Sequence, residues 1–275
     1  MDGFGYWSGQ DVQVEFRPAP PDSGIVFVRT DVGPARRIPA RVQYRVEVPR
    51  RTSLRDGSVR VDMVEHILAA LAGLHIDNCE VWVDSPEMPG CDGSSLPFVA
   101  ALDAAGVTRQ EAGRRQWSVP RTFRVGDERC WVEARPAARP GLTVEYHIDY
   151  GTSGPIRRQS LALAVTPQAF RDELRAARTF VLEEEAAGMR SQGLGARVTC
   201  RDLLVFDERG PIDNPLRFPD ECVRHKTLDL IGDLALAGCD LAGHFVAHCS
   251  SHRLNAELVV RLLAEAARDG LARSA

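Results

Sequence analysis

Lysine is nearly missing from this chain. Of 34 Lys and Arg residues a single one is Lys, and it stands at 226, directly after His225. An ammonium is a compact point charge and a guanidinium a planar fork, so the two are not interchangeable where space is small. The exception therefore singles out position 226. Also lacking is any C-x-x-C pair: the seven cysteines (79, 91, 130, 200, 222, 239 and 249) are scattered and odd in number. They read as reduced thiols in a reducing compartment. No apolar run reaches the 18 residues a membrane helix requires, and no basic-then-apolar leader opens the sequence. Both absences lead to the expectation of a cytoplasmic protein without stable membrane insertion. A basic surplus is missing too, since the net charge is −4, which argues against nucleic acid as a partner. What remains is an ordinary globular composition, 44% hydrophobic and 26% charged over 275 residues, enough for two modest domains or one large one.

The most informative stretch is 220–237, which the spacing predicts as one helix. Pro219, Asp220 and Glu221 suit its N-terminus and Gly238 its end. At 3.6 residues per turn, His225, Asp229, Gly232 and Asp233 share an arc of roughly 100°. Two carboxylates and an imidazole on one stripe are costly unless they are paired or bind a cation. The plainer alternative is an i, i+4 His–Asp pair on a solvated face.

Elsewhere the patterns predict strands at 11–17 and 24–29, short strands over 38–61, a helix over 62–73 and a strand at 79–84. A helix at 95–105 and an Arg-rich linker at 106–118 follow. Strands near 119–135 and 142–149, a helix at 167–176 and a mixed segment at 180–207 precede the central helix. A strand at 243–249 and a helix at 253–268 close the pattern. The halves resemble each other: His66 and Gly73 on one predicted helix, His225 and Gly232 on the other, are each seven apart. That is two turns along one face, and it suggests a duplicated α/β unit whose His-bearing helices face each other. Facing helices would bring His66, His225 and Asp229 together as three ligands with an open fourth position, a pattern of catalytic zinc.

Other groups admit two readings each. Glu65, beside His66, is either a proton acceptor for a metal-activated water or the far end of a capping box begun by Asp62. His252 is either a cationic acid, with Asp233 raising its pKa, or a helix-entry histidine. His244 and His248 form a rival metal pair on one strand face; His75 and His147 have no evident partner. Thr179 could support an oxyanion or cap a helix. Asp92-Gly93-Ser94 reads as turn chemistry before a helix.

Taken together, Val64-Glu65-His66 through Gly73, Ile76-Asp77-Asn78, Pro86-Glu87, Asp92-Gly93-Ser94, Ala177-Arg178-Thr179-Phe180, Leu216-Arg217-Phe218, His225-Lys226, Asp229 through Asp233 and His252-x-Leu254-Asn255 resemble the UDP-3-O-acyl-N-acetylglucosamine deacetylases, zinc amidases of the committed step of lipid A biosynthesis. The resemblance runs from about residue 3 to 268. It implies an α/β (α+β) fold of two similar two-layer domains, 1–113 and 117–275, with their helical layers packed together between the sheets. The segment near 180–207 would form an acyl passage. The resemblance further implies one Zn2+ per chain on His66, His225 and Asp229. Glu65 would be the general base, Thr179 an oxyanion donor, and His252 the acid oriented by Asp233. Lys226 and Phe180 would contact an acylated UDP-sugar, in a monomer. Three departures stand out. Gly3 nearly opens the chain where family members carry a further strand, so an edge strand is missing or the sequence starts short. Arg197-Val198 replaces a common Gly-Gly in the passage, which bears on acyl length and motivates the same amidase chemistry on another N-acetyl sugar. Ser251 stands where Gly commonly precedes the histidine. A non-catalytic ligand-binding relative is the rival from another class.

Overall fold

The computed structural model describes residues 1–268. The first half runs β1 (Asp2–Phe4), β2 (Asp11–Pro18), β3 (Ile25–Arg29) and β4 (Arg36–Pro39). A small sheet follows, β5 (Arg45–Val46), β6 (Ser53–Asp56) and β7 (Val59–Asp62). Then come α1 (Glu65–Gly73), β8 (Cys79–Val83) and α2 (Leu96–Ala105). The alternation of β2 is that of a one-sided strand: Val12 and Val14 are buried while Asp11, Gln13 and Glu15 face out. The second half runs β9 (Gln116–Ser118), β10 (Phe123–Gly126), β11 (Trp131–Arg135), β12 (Leu142–Asp149) and β13 (Arg158–Ala164). Next are α3 (Pro167–Ala169), continued by a wider π-helical turn through Leu174, then β14 (Phe180–Leu182), α4 (Glu183–Ser191) and β15 (Leu204–Phe206). α5 (Glu221–Leu234), β16 (Asp240–His248) and α6 (His252–Arg268) complete it.

The two large sheets have the same topology. In one the order is β1-β2-β8-β3-β4, in the other β10-β11-β16-β12-β13. β8 runs antiparallel to β2 and parallel to β3; β16 runs antiparallel to β11 and parallel to β12. One helix precedes each central strand and one follows it. The repeated unit inferred from the His–Gly spacing is thus present as repeated strand order. Each copy carries its insert at the same point, between the fourth strand and the inner helix: β5–β7 in the first, β14–α4–β15 in the second.

The inner helices α1 and α5 pack on each other, with α2 and α6 beside them. α1 is apolar on nearly every side and buried throughout except Ala72, as an interior helix should be. α5 approaches it closely because of Gly232: a Cβ there would lie 2.1 Å from the Glu65 carbonyl oxygen. Gly73 does a different job, since a Cβ there would meet the Phe170 ring at 2.3 Å.

Several boundaries differ from the sequence reading. The helix expected over 62–73 begins at Glu65, because Asp62 pairs with Ser53 as the last residue of β7. The central helix stops at Leu234, continues as a 3₁₀ turn through Ala237, and ends at Gly238 with φ 68°. The stretch read as a turn at 3–9 contains β1, an edge strand paired with β2. The expected linker ends in β9, which pairs with β16.

Replacing Gly232 by Ala should force α1 and α5 apart. Overpacking of this kind costs about 1–3 kcal/mol, and His66 should separate from His225. Denaturant unfolding should show the loss, and metal titration should show weakened affinity relative to the parent protein.

Candidate metal centre and active site

α1 delivers Glu65 and His66 at its first turn; α5 delivers His225, Lys226, Asp229 and Asp233. The close contact at Gly232 places the His66 and His225 rings edge to face, with centroids 5.0 Å apart. Asp229 Oδ1 lies 3.3 Å from His225 Nε2 and 3.7 Å from His66 Nε2. The three donor atoms fall within 4.8 Å of one another, and all three residues are buried. Asp229 Oδ1 has no hydrogen-bond partner although it is buried. A buried carboxylate oxygen without a donor is costly, and a cation held by this oxygen and the two imidazole nitrogens would remove that cost. The His225 tautomer agrees. Its Nδ1 is 3.1 Å from the Ala177 carbonyl, which can only accept, so Nδ1 carries the proton and Nε2 turns a lone pair to the centre.

The electrostatics of these groups suits them to hold a cation. Burial, reinforced by His225, lowers His66 to about 3. Burial likewise lowers His225. Both imidazoles are therefore neutral near pH 7. Burial pushes Asp229 up, but His225, Lys226, His252 and His66 outweigh it and hold its carboxyl well below the usual range. The Lys226 ammonium donates to Asp229 Oδ2 at 2.8 Å, leaving Oδ1 free. Burial by itself would lower that lysine; Asp229 outweighs it and raises it.

Glu65 does not cap its own helix. Its Oε2 accepts from the Thr52 backbone N–H at 3.0 Å, and the residue before α1 makes no side-chain cap. Burial raises its carboxyl to about 7 against the opposing effect of His252. His252 enters α6 with Nδ1 2.8 Å from Asp233 Oδ2. Burial disfavours its charge, yet Asp233 more than compensates and raises it to about 9. Asn255 Nδ2 donates to the same Oδ2 at 2.8 Å, and Thr52 Oγ1 donates to Oδ1 at 2.5 Å. One buried carboxyl near 7 thus faces one buried imidazolium near 9, the pairing needed to accept and then donate a proton.

The second insert contributes the wall. Arg178 donates to both oxygens of the buried Glu221, fixing the segment before Thr179 onto the start of α5. The Thr179 N–H donates to the Gly93 carbonyl at 2.7 Å. Asp92-Gly93-Ser94 is a turn, as expected; a Cβ at Gly93 would press on Thr179 at 3.1 Å. The Phe180 ring lies 6.4 Å from His225. A cavity of about 500 Å³ is lined by Glu65, His66, His225, Lys226, Asp229, His252, Thr179 and Phe180. Val181, Ala186, Met189, Leu194, Val198 and Val205 give the same cavity apolar lining.

The structure thus brings together every residue singled out for the chemistry. Among the described residues only this trio has donor atoms so close together, and the rival pair is engaged otherwise. His244 Nδ1 contacts Thr143 Oγ1, and His248 Nδ1 meets the Arg129 carbonyl. His147, read as unpartnered, contacts Ser160 and Glu145. Arg197 turns from the cavity to pair with Asp11 and cover the Phe4 ring, leaving Val198 in the wall. Ser251 keeps the histidine turn intact, because the left-handed residue there is Cys249 (φ 46°). Thr52 was missed altogether.

Two neutral imidazoles and a carboxylate, opening on a cavity with an acid and a base, define a metal-assisted hydrolase. Comparison with known proteins narrows the class: residues 1–264 match the model of the UDP-3-O-acyl N-acetylglycosamine deacetylase family, and the chain belongs to that family. A UDP-3-O-acyl-N-acetylglucosamine deacetylase of Anaeromyxobacter sp. (strain Fw109-5) is 42% identical over 265 residues, covering 96% of this chain and 85% of the relative. One of Shewanella sp. (strain W3-18-1) is 39% identical over 267 residues, covering 96% and 86%. No helix among the described residues is long and apolar enough to cross a membrane.

Asp229→Ala should abolish tight metal binding while the fold is retained. Metal analysis after dialysis is the check; an unchanged stoichiometry would remove Asp229 from the ligand set.

Proposed function

We propose that this chain hydrolyses the N-acetyl group of UDP-3-O-acyl-N-acetylglucosamine, releasing acetate and the free amine in lipid A biosynthesis. The observation that carries it is the unpartnered Asp229 oxygen between two neutral imidazoles, in a chain of the deacetylase family. His66, His225 and Asp229 suit one Zn2+, which when bound supplies a Lewis acid that polarises a carbonyl and makes water acidic.

The protein's own groups move the protons. Glu65 accepts a proton from the water whose oxygen adds to the acetamide carbonyl carbon. Thr179, fixed through its neighbour Arg178, offers a hydroxyl to the developing oxyanion. His252 is held cationic by Asp233 and donates its Nε2 proton to the amine nitrogen as the C–N bond breaks. Lys226 spends one of its three donors on Asp229, leaving others for oxygens of the substrate. Phe180 lines the cavity beside His225, and the apolar side chains of the second insert in the same wall suit the 3-O-acyl chain.

We read the chain as two domains, 1–113 and 117–275, with the second insert, about 180–207, forming the acyl passage. Seven free cysteines support a reducing, cytoplasmic setting. The large apolar residues exposed among those described are few, namely Val107, Tyr150, Leu216 and Val260, which supports a monomer.

Glu65→Ala should keep the metal and lose turnover by a factor of roughly 10² or more, measured as acetate release beside metal content. Parallel loss of both would return Glu65 to a structural role. Turnover needs Glu65 unprotonated and His252 protonated. It should therefore rise as pH passes about 7 and fall as it passes about 9, with a bound cation moving both limbs down. In His252→Ala the residual activity should lose the alkaline limb.

A further inference from the structure

Thr52 immediately precedes β6, the middle strand of the first insert, and is fully buried. Three of its groups are committed. Its N–H donates to Glu65 Oε2 at 3.0 Å, its Oγ1 donates to Asp233 Oδ1 at 2.5 Å, and its carbonyl accepts from the Val64 N–H at 3.2 Å. The two carboxylates belong to different copies of the repeat; Glu65 is 13 residues away and Asp233 is 181. Asp233 spends its other oxygen on His252 Nδ1 and Asn255 Nδ2. One residue therefore touches both the group placed to accept a proton and the group that holds the proton donor.

We propose that Thr52 is a positioning residue for the deacetylation, fixing Glu65 and the Asp233–His252 pair relative to each other across the two halves. The proposal rests on the function assigned above. A carboxylate has one soft torsion, and donors on both oxygens are what stop it turning. Asn255 and His252 hold Oδ2 from α6, on the same side as the acid. Among the described residues, Thr52 holds Oδ1 from the side of the base, through a β-branched side chain with few rotamers. Without the hydroxyl, a buried anionic oxygen loses its donor, and the carboxylate turns to find another. His252 turns with it, while Glu65, bound to the backbone N–H, stays in place. The damage falls on proton delivery to the leaving nitrogen and not on substrate or metal binding. The expected signature is therefore in kcat, with KM unaltered.

The test compares Thr52→Val, which keeps the shape and the backbone N–H but removes the hydroxyl, with Thr52→Ser, which keeps the hydroxyl. Each is assayed with bound metal for metal content, acetate release and the downfield proton resonance of the His252–Asp233 hydrogen bond, assigned by its loss in His252→Gln. For Thr52→Val we expect full metal content, a fall in kcat of roughly ten- to hundredfold with KM within about twofold, and a displaced or broadened resonance. Thr52→Ser should recover most of kcat and the parent resonance. Parent-like kcat and resonance in Thr52→Val, or a serine variant no better than the valine one, would overturn the proposal. Should the valine variant not fold, Thr52→Ala removes the same hydroxyl without bulk and carries the same comparison. A parent protein that releases no acetate would sink the deacetylase reading instead, and the resonance, which needs no substrate, would still decide whether Thr52 holds the pair.

Discussion

Everything at this centre depends on how closely two helices approach. Gly232 leaves α5 without a side chain where the Glu65 carbonyl seats, and α1 settles into that space at the turn bearing His66. Side chains of ordinary size hold helix axes about 8–10 Å apart. A bare patch at the contact lets short side chains such as those of His and Asp reach a common point. One turn of each helix then carries the whole donor set. Part of the cost of burying an aspartate and a lysine together is met by their pairing, Lys226 on one Asp229 oxygen. The other oxygen and the two imidazole nitrogens facing it are unpaired, and a cation among them would offset the rest.

Much of this was legible because helical spacing is a local signal. His225, Asp229 and Asp233 on one face of α5, and the seven-residue His–Gly interval shared with α1, required only a period of 3.6 and correctly implied that the helices meet. Glu65 was ambiguous for an equally local reason. Asp62 stands three residues before it, as in a capping box, and only the pairing of Asp62 with Ser53 in a sheet removes that reading. Thr52 was illegible because its partner Asp233 is 181 residues away and its neighbours Arg50, Arg51 and Arg55 suggest an exposed strand. β1 was hidden by glycines that look like a turn, and β9 by the arginines before it. The rarity of lysine pointed to position 226, but the ion pair with Asp229 is a fact of packing.

The repeat explains where the remaining groups come from. Each copy supplies an inner helix, and each has its insert at the same junction before that helix. The first insert provides the Thr52 contacts; the second provides Phe180 and much of the cavity wall, with Thr179 just before it. The duplicated framework sets the His–Asp cluster, and the unlike inserts make a symmetric pair of helices into an asymmetric site.

His66 belongs to one copy of the repeat, while His225 and Asp229 belong to the other. On the proposed ligand set neither copy alone would hold the complete chelate, so tight binding of an ion would need both halves docked. Metal occupancy would then be a thermodynamic gauge of the interface: whatever loosens the contact between the inner helices would lower affinity for the ion, and a bound ion would in turn resist their parting.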